Sequence, residues 1–183
     1  MRQLGWITLS LLFTGLSVLL VAWPDLQELR RGGNWSVTAS EGDRAELDGV
    51  TVSIDQARAM IFPIMPDRAV LYLRMGLQGD RDRMRDWLIC DLTLTDSKGR
   101  AWRPFGNAVG MQIIDLLGDQ NDGYTSCSQS LAMAPEDGGP SISVQAFLVP
   151  VAVLKDLRLQ ISGMTTRPRA LSLPFRPVLR PPP

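Results

Sequence analysis

AVLYLRMGL, residues 69–77, alternates strictly, with Leu71, Leu73, Met75 and Leu77 on one face and Tyr72 and Arg74 on the other. Successive strand side chains point to opposite faces, so this spacing predicts a β-strand with one face in a core. The same grammar recurs on both sides of it. Val50, Val52 and Ile54 alternate with Thr51, Ser53 and Asp55; Leu88, Cys90, Leu92 and Leu94 alternate with Asp91, Thr93 and Thr95 over residues 87–95. Ile142, Val144, Ala146 and Leu148 form a fourth set, and Leu157, Leu159 and Ile161 a fifth. Weaker strand signals fall at residues 44–47, 101–105, 124–129 and 170–175.

Turn chemistry separates these segments. Asp96-Ser97-Lys98-Gly99 is a four-residue turn between two strands, and residues 118–123 and 135–140 are Gly-, Pro- and Asp-rich breaks. Seven to nine short strands at this spacing predict an all-β, antiparallel sandwich. Helix beyond the amino-terminal segment is expected to be short, a turn at residues 111–117 or 150–154. The alternating charges of residues 80–86 are expected in a solvated hairpin loop or a protected strand edge.

The amino terminus reads differently. Residues 3–23, QLGWITLSLLFTGLSVLLVAW, form a run of 21 without a charge, flanked by Trp6 and Trp23 and closed by Pro24 and Asp25. As a helix it measures about 30 Å, the thickness of a bilayer's hydrocarbon core. An uncleaved membrane anchor over residues 1–23 is the expectation, with a cleaved signal peptide as the alternative. The stretch Val21-Ala22-Trp23 lacks a small-x-small cleavage site. Residues 24–34 read as a linker, 35–175 as the sandwich, and 176–183 as an extended or disordered Pro/Arg-rich tail.

Composition excludes several chemistries. The chain of 183 residues carries 19 Lys+Arg and 19 Asp+Glu, which gives no electrostatic case for a nucleic-acid partner. It contains no histidine, which removes imidazole bases and His-ligated metals. Asp115, Asp119 and Asp122 lie in one loop whose spacing departs from the EF-hand rule, and Asp91 and Asp96 are the other carboxylates worth weighing as a hydrolytic pair. Solvated turn and strand positions explain all five more simply. No catalytic, cofactor-binding or metal-binding residue is assigned, and the protein is expected not to be an enzyme.

Two features remain. The two cysteines, Cys90 and Cys127, suffice for one disulfide, and nothing resembles the Cys-x-x-Cys of a redox catalyst. A bridge between them places the domain in an oxidising space, with the amino terminus in the cytoplasm. The apolar loop carrying Met60, Ile61, Phe62, Ile64 and Met65 is interrupted by Pro63 and Pro66. It either folds over one end of the core or presents a sticky surface to a partner or the bilayer.

The order of anchor, strand 49–54, strand 69–77, the Leu92–Trp102 hairpin with its Asp-x-x-Gly turn, and a strand ending at Pro150 before Leu157-Arg158-Leu159 resembles a known type. It is similar to the bacterial telokin-like, immunoglobulin-fold domains of unknown function on small exported or membrane-anchored proteins. Arg outnumbers Lys 17 to 2, in keeping with a bacterial source. The resemblance implies a fold and no activity. The resulting expectation is a single-pass inner-membrane protein whose carboxy-terminal domain, on the periplasmic side, binds an envelope protein or plays a structural role. Alternatives are an accessory subunit whose anchor packs within a membrane complex, and a carboxylate- or metal-dependent envelope hydrolase.

Overall fold

The computed structural model describes residues 12–15, 17, 36–119 and 122–182. Among the described residues from Ser36 onward, ten strands, three α-helices and a 3-10 turn at Val151–Val153 follow in the order β1 (Ser36–Ala39), β2 (Arg44–Leu47), β3 (Val50–Ile61), β4 (Arg68–Gly79), α1 (Arg81–Asp86), β5 (Asp91–Thr95), β6 (Ala101–Trp102), α2 (Asn107–Leu117), α3 (Cys127–Ala132), β7 (Ser141–Pro150), β8 (Arg158–Ser162), β9 (Arg169–Pro174) and β10 (Val178–Arg180). One sheet has the order β1-β9-β8-β5-β6; the other runs β10-β3-β4-β7, with β2 also paired to β3. Pairing is antiparallel except at the margins, where β1 lies parallel to β9 and β10 parallel to β3. The fold is therefore mainly β, as the alternation predicts, with helices added.

The two sheets enclose one apolar core. Leu71, Leu73, Met75 and Leu77 of β4 are fully buried there, with Leu94 of β5, Leu159 and Ile161 of β8 and Leu173 of β9. The local turns fix the register of their hairpins. Asp48 and Gly49 join β2 to β3 with φ of 53° and 80°, the positive values that a two-residue hairpin turn requires. Asp96 closes the β5–β6 turn through its carboxylate, which accepts from Lys98 N at 3.0 Å and Arg100 N at 2.9 Å.

A second cluster departs from the simple sandwich. Helix α2 lays Ile113, Ile114 and Leu117 on the outer face of the second sheet, against Met60, Val70, Tyr72, Val144 and Ala146. Burial of each such aliphatic side chain contributes roughly 2 kcal/mol. Strand β7 is apolar on both sides, and its outer set, Val144 and Ala146, meets α2, whereas Phe147 and Val149 enter the inter-sheet core. The expectation of little helix is corrected here: a sheet apolar on both faces needs a cover on each.

Three further expectations are corrected. The charged run forms α1, which buries Met84, and Trp87 at its C-cap is fully buried. The strand expected over residues 87–95 begins only at Asp91, because α1 and its exit occupy the preceding residues and leave Ile89 exposed. The weak signal at residues 124–129 splits into a single bridge, Thr125 to Val144, and the first turn of α3. The tail contributes β10 beside β3.

Most of the segment read as an anchor or signal peptide, and all of the 24–34 linker, lies outside the described residues. Leu12–Gly15 and Ser17 are helical, and the Ser17 hydroxyl donates to Phe13 O at 2.8 Å. Among the described residues, no helix is long and apolar enough to cross a membrane.

Candidate functional site

Cys90 and Cys127 are joined by a disulfide, with S–S 1.99 Å and Cα–Cα 5.8 Å. The bridge ties the segment entering β5 to the first residue of α3, and the Cys90 amide also donates to Ser128 Oγ at 3.2 Å. The pairing expected from sequence is present. Cys90 is not in a strand, however; it lies one residue before β5.

An open cleft of ≈ 540 Å³ lies beside the bridge. Its walls come from five parts of the chain: Cys90 and Asp91 at the entry to β5, Arg103 and Pro104 after β6, Tyr124 with Ser126 to Ser128 around the α3 entry, Gln145 of β7, and Arg167 of the β8–β9 connection. Arg167 Nη2 lies 3.5 Å from Asp91 Oδ2. Arg103 is exposed and has no ion-pair partner among the described residues. Gln145 is only 2 % exposed, and its amide nitrogen donates to Thr125 O at 3.2 Å and Ser143 Oγ at 3.1 Å. Burial pushes the Tyr124 phenol above its ordinary value, so it stays a neutral donor. Arg103, Gln145 and Arg167 were not singled out from sequence. The one available signal was Gln145, a polar residue in an otherwise apolar stretch of strand.

The apolar loop divides. Met60 is buried, and Ile61 and Phe62 pack half-buried against the inner and outer clusters respectively. Ile64 is 86 % exposed and Met65 39 %. Two backbone hydrogen bonds, Met65 N to Phe62 O at 2.9 Å and Arg68 N to Met65 O at 3.1 Å, hold the tip in shape. Met60 and Ile61 thus close β3, and the loop that follows has its shoulder in the core and its tip in solvent.

The carboxylates do not gather into one centre. Asp91 opens β5 and Asp96 follows its end, about 16 Å apart along the strand. Asp115 is exposed on α2. Asp119 and Asp122 do meet, since Asp119 N donates to Asp122 Oδ2 at 2.8 Å, but arginines engage both. Arg58 binds Asp119 Oδ1 at 2.8 Å and Leu117 O at 2.7 Å; Arg74 binds Asp122 Oδ1 at 3.0 Å. The Arg58 and Gln56 bonds hold the Asp119 carboxyl below its ordinary value. This network fastens the end of α2 to the sheet. It is made possible by a bulge in β3 between Ile54 and Gln56, which reverses the alternation and turns Gln56 and Arg58 outward beside Arg74 and Tyr72.

No known protein family and no curated protein matches this chain. A solved structure of a candidate lipoprotein from Staphylococcus aureus aligns with 78 % of this chain and 96 % of its own, at 10 % identity and a TM-score of 0.44. A likeness of that size carries no weight for fold class or function.

Proposed function

We propose that this chain is an exported, membrane-tethered module of the immunoglobulin type that works by holding an envelope protein. The strand order supports the class. β3-β4-β7 against β9-β8-β5 follows the arrangement of strands A-B-E against G-F-C in immunoglobulin sandwiches. The disulfide supports an extracytoplasmic position, because such bridges persist in oxidising compartments. The apolar run at residues 3–23 supplies the tether.

The observation that carries the binding reading is the Ile64 tip. A β-branched side chain 86 % exposed on a hydrogen-bonded turn, with its shoulders anchored in two cores, is a preorganised apolar contact. The hydrolase alternative gains no support from the carboxylates, which are dispersed or bound by arginines.

The test uses the full-length chain in its membrane, with a photo-crosslinking side chain in place of Ile64. A discrete protein adduct that disappears when Met65→Asp is added is the expected result. Crosslinks to lipid alone, or none, would overturn the reading. Phe62→Asp is an unsuitable probe, because Phe62 packs against the outer cluster and its loss disturbs the fold.

A further inference from the structure

We infer that the cleft beside the Cys90–Cys127 bridge binds a peptide's carboxyl terminus, with Arg103 and Arg167 on the carboxylate and Gln145 on the adjoining N–H. Six buried side-chain polar atoms among the described residues have no hydrogen-bond partner, and two of them, Gln145 Oε1 and Arg167 Nε, belong to residues lining this cleft. The Gln145 amide nitrogen is committed to Thr125 and Ser143, so its oxygen is an acceptor left over at the cleft. An acceptor buried without a donor is costly, and a cleft lined by such a group favours a ligand that brings one.

Charge sets the other half of the ligand. Arg103 and Arg167 outweigh the single carboxylate of Asp91, and the Arg167–Asp91 contact at 3.5 Å leaves much of the Arg167 donor fork uncommitted. Planar guanidinium forks suit a carboxylate. A ligand that presents an anion and, next to it, a hydrogen-bond donor therefore suits the cleft. A peptide's chain end provides both in one unit, its carboxylate for the guanidinium forks and its last N–H for the Gln145 oxygen. At ≈ 540 Å³ the cleft has room for the last two or three residues.

This inference rests on the reading of the chain as a binding module. It uses a surface that shares no residue with the Ile64 tip, so crosslinking at Ile64 and binding in the cleft can fail separately. The experiment titrates isotope-labelled full-length protein in detergent micelles with N-acetyl-alanyl-alanine, its terminal amide, N-acetyl-alanyl-lactate (which lacks the N–H) and inorganic phosphate. The free dipeptide is expected to move the side-chain signals of Arg103, Gln145 and Arg167, and the amide to bind about tenfold or more weakly. The lactate analogue should bind more weakly and leave Gln145 unmoved. Arg103→Ala, a substitution at an exposed position, should leave the melting temperature unchanged and weaken the dipeptide about tenfold. Equal binding of acid and amide, no response to the dipeptide, or tighter binding of phosphate than of the dipeptide would overturn the assignment.

Discussion

The Tyr72 hydroxyl donates to Asp122 Oδ2 at 2.5 Å, joining the centre of β4 to the loop that follows α2. The same carboxylate takes Arg74 Nη1 on its other oxygen at 3.0 Å, and its side chain is 7 % exposed. Asp122→Ala therefore strands a buried phenol and a half-buried guanidinium together. We expect a loss of about 2–4 kcal/mol in urea unfolding. Hydrogen exchange should rise first in α2, which this loop fastens to the sheet. A variant with unchanged exchange in α2 would show that apolar packing alone holds the helix.

Acid weakens the fold through a few identifiable carboxylates. Asp119, held by Arg58 and Gln56, and Asp156, bonded by Ser97, have folded values below the ordinary 3.8. Burial pushes Asp96 up, but its bonds to Arg100 and Lys98 outweigh that and leave it lowered as well. Their contribution is complete above the unfolded value and is lost as the pH falls through the folded one. Tyr72 acts in the opposite sense: burial and Asp122 raise it above its ordinary 10.0, so its share is complete below that and is lost at higher pH. The urea midpoint should be flat from about pH 5 to 9 and fall beyond either end. Asp119→Asn should lower the plateau and shrink the acid decline.

Gly163 lies against the buried ring of Trp87. A methyl group added there comes within 2.7 Å of Trp87 Cγ and 2.8 Å of its Cα. Gly163→Ala should cost about 1–3 kcal/mol by overpacking. Gly123→Ala, with nothing within 4 Å of the added carbon, is the matched control and should shift the midpoint little.

Legibility of the fold followed the number of faces each strand buries. In β4 the inward set was clear, because Arg74 marks the outer face, and the Asp96–Gly99 turn carried its own chemistry. Strand β7 buries both faces, so alternation identified a strand without revealing which set meets the other sheet or that a helix covers the rest. The bulge before Gln56 breaks the period within one strand, which hid the outward placement of Arg58. Helix α1 is six residues long and buries only Met84, too little for a helical period to register. The cleft was illegible for a different reason. Arg103, Gln145 and Arg167 are distant in sequence and lie on or beside two different sheets, and only the packing of those sheets brings them to one cleft.

The disulfide links topology, compartment and stability. Closing a loop of 37 residues stabilises the chain by about 4 kcal/mol on the loop-entropy account. The decisive measurement is alkylation of Cys90 and Cys127 in the full-length protein within unreduced membrane fractions, with a parallel sample treated with reductant before labelling. We predict no labelling without reductant, two labels after it, and recovery of the chain with the membranes. Recovery in the soluble extract with both thiols labelled at once would contradict the account.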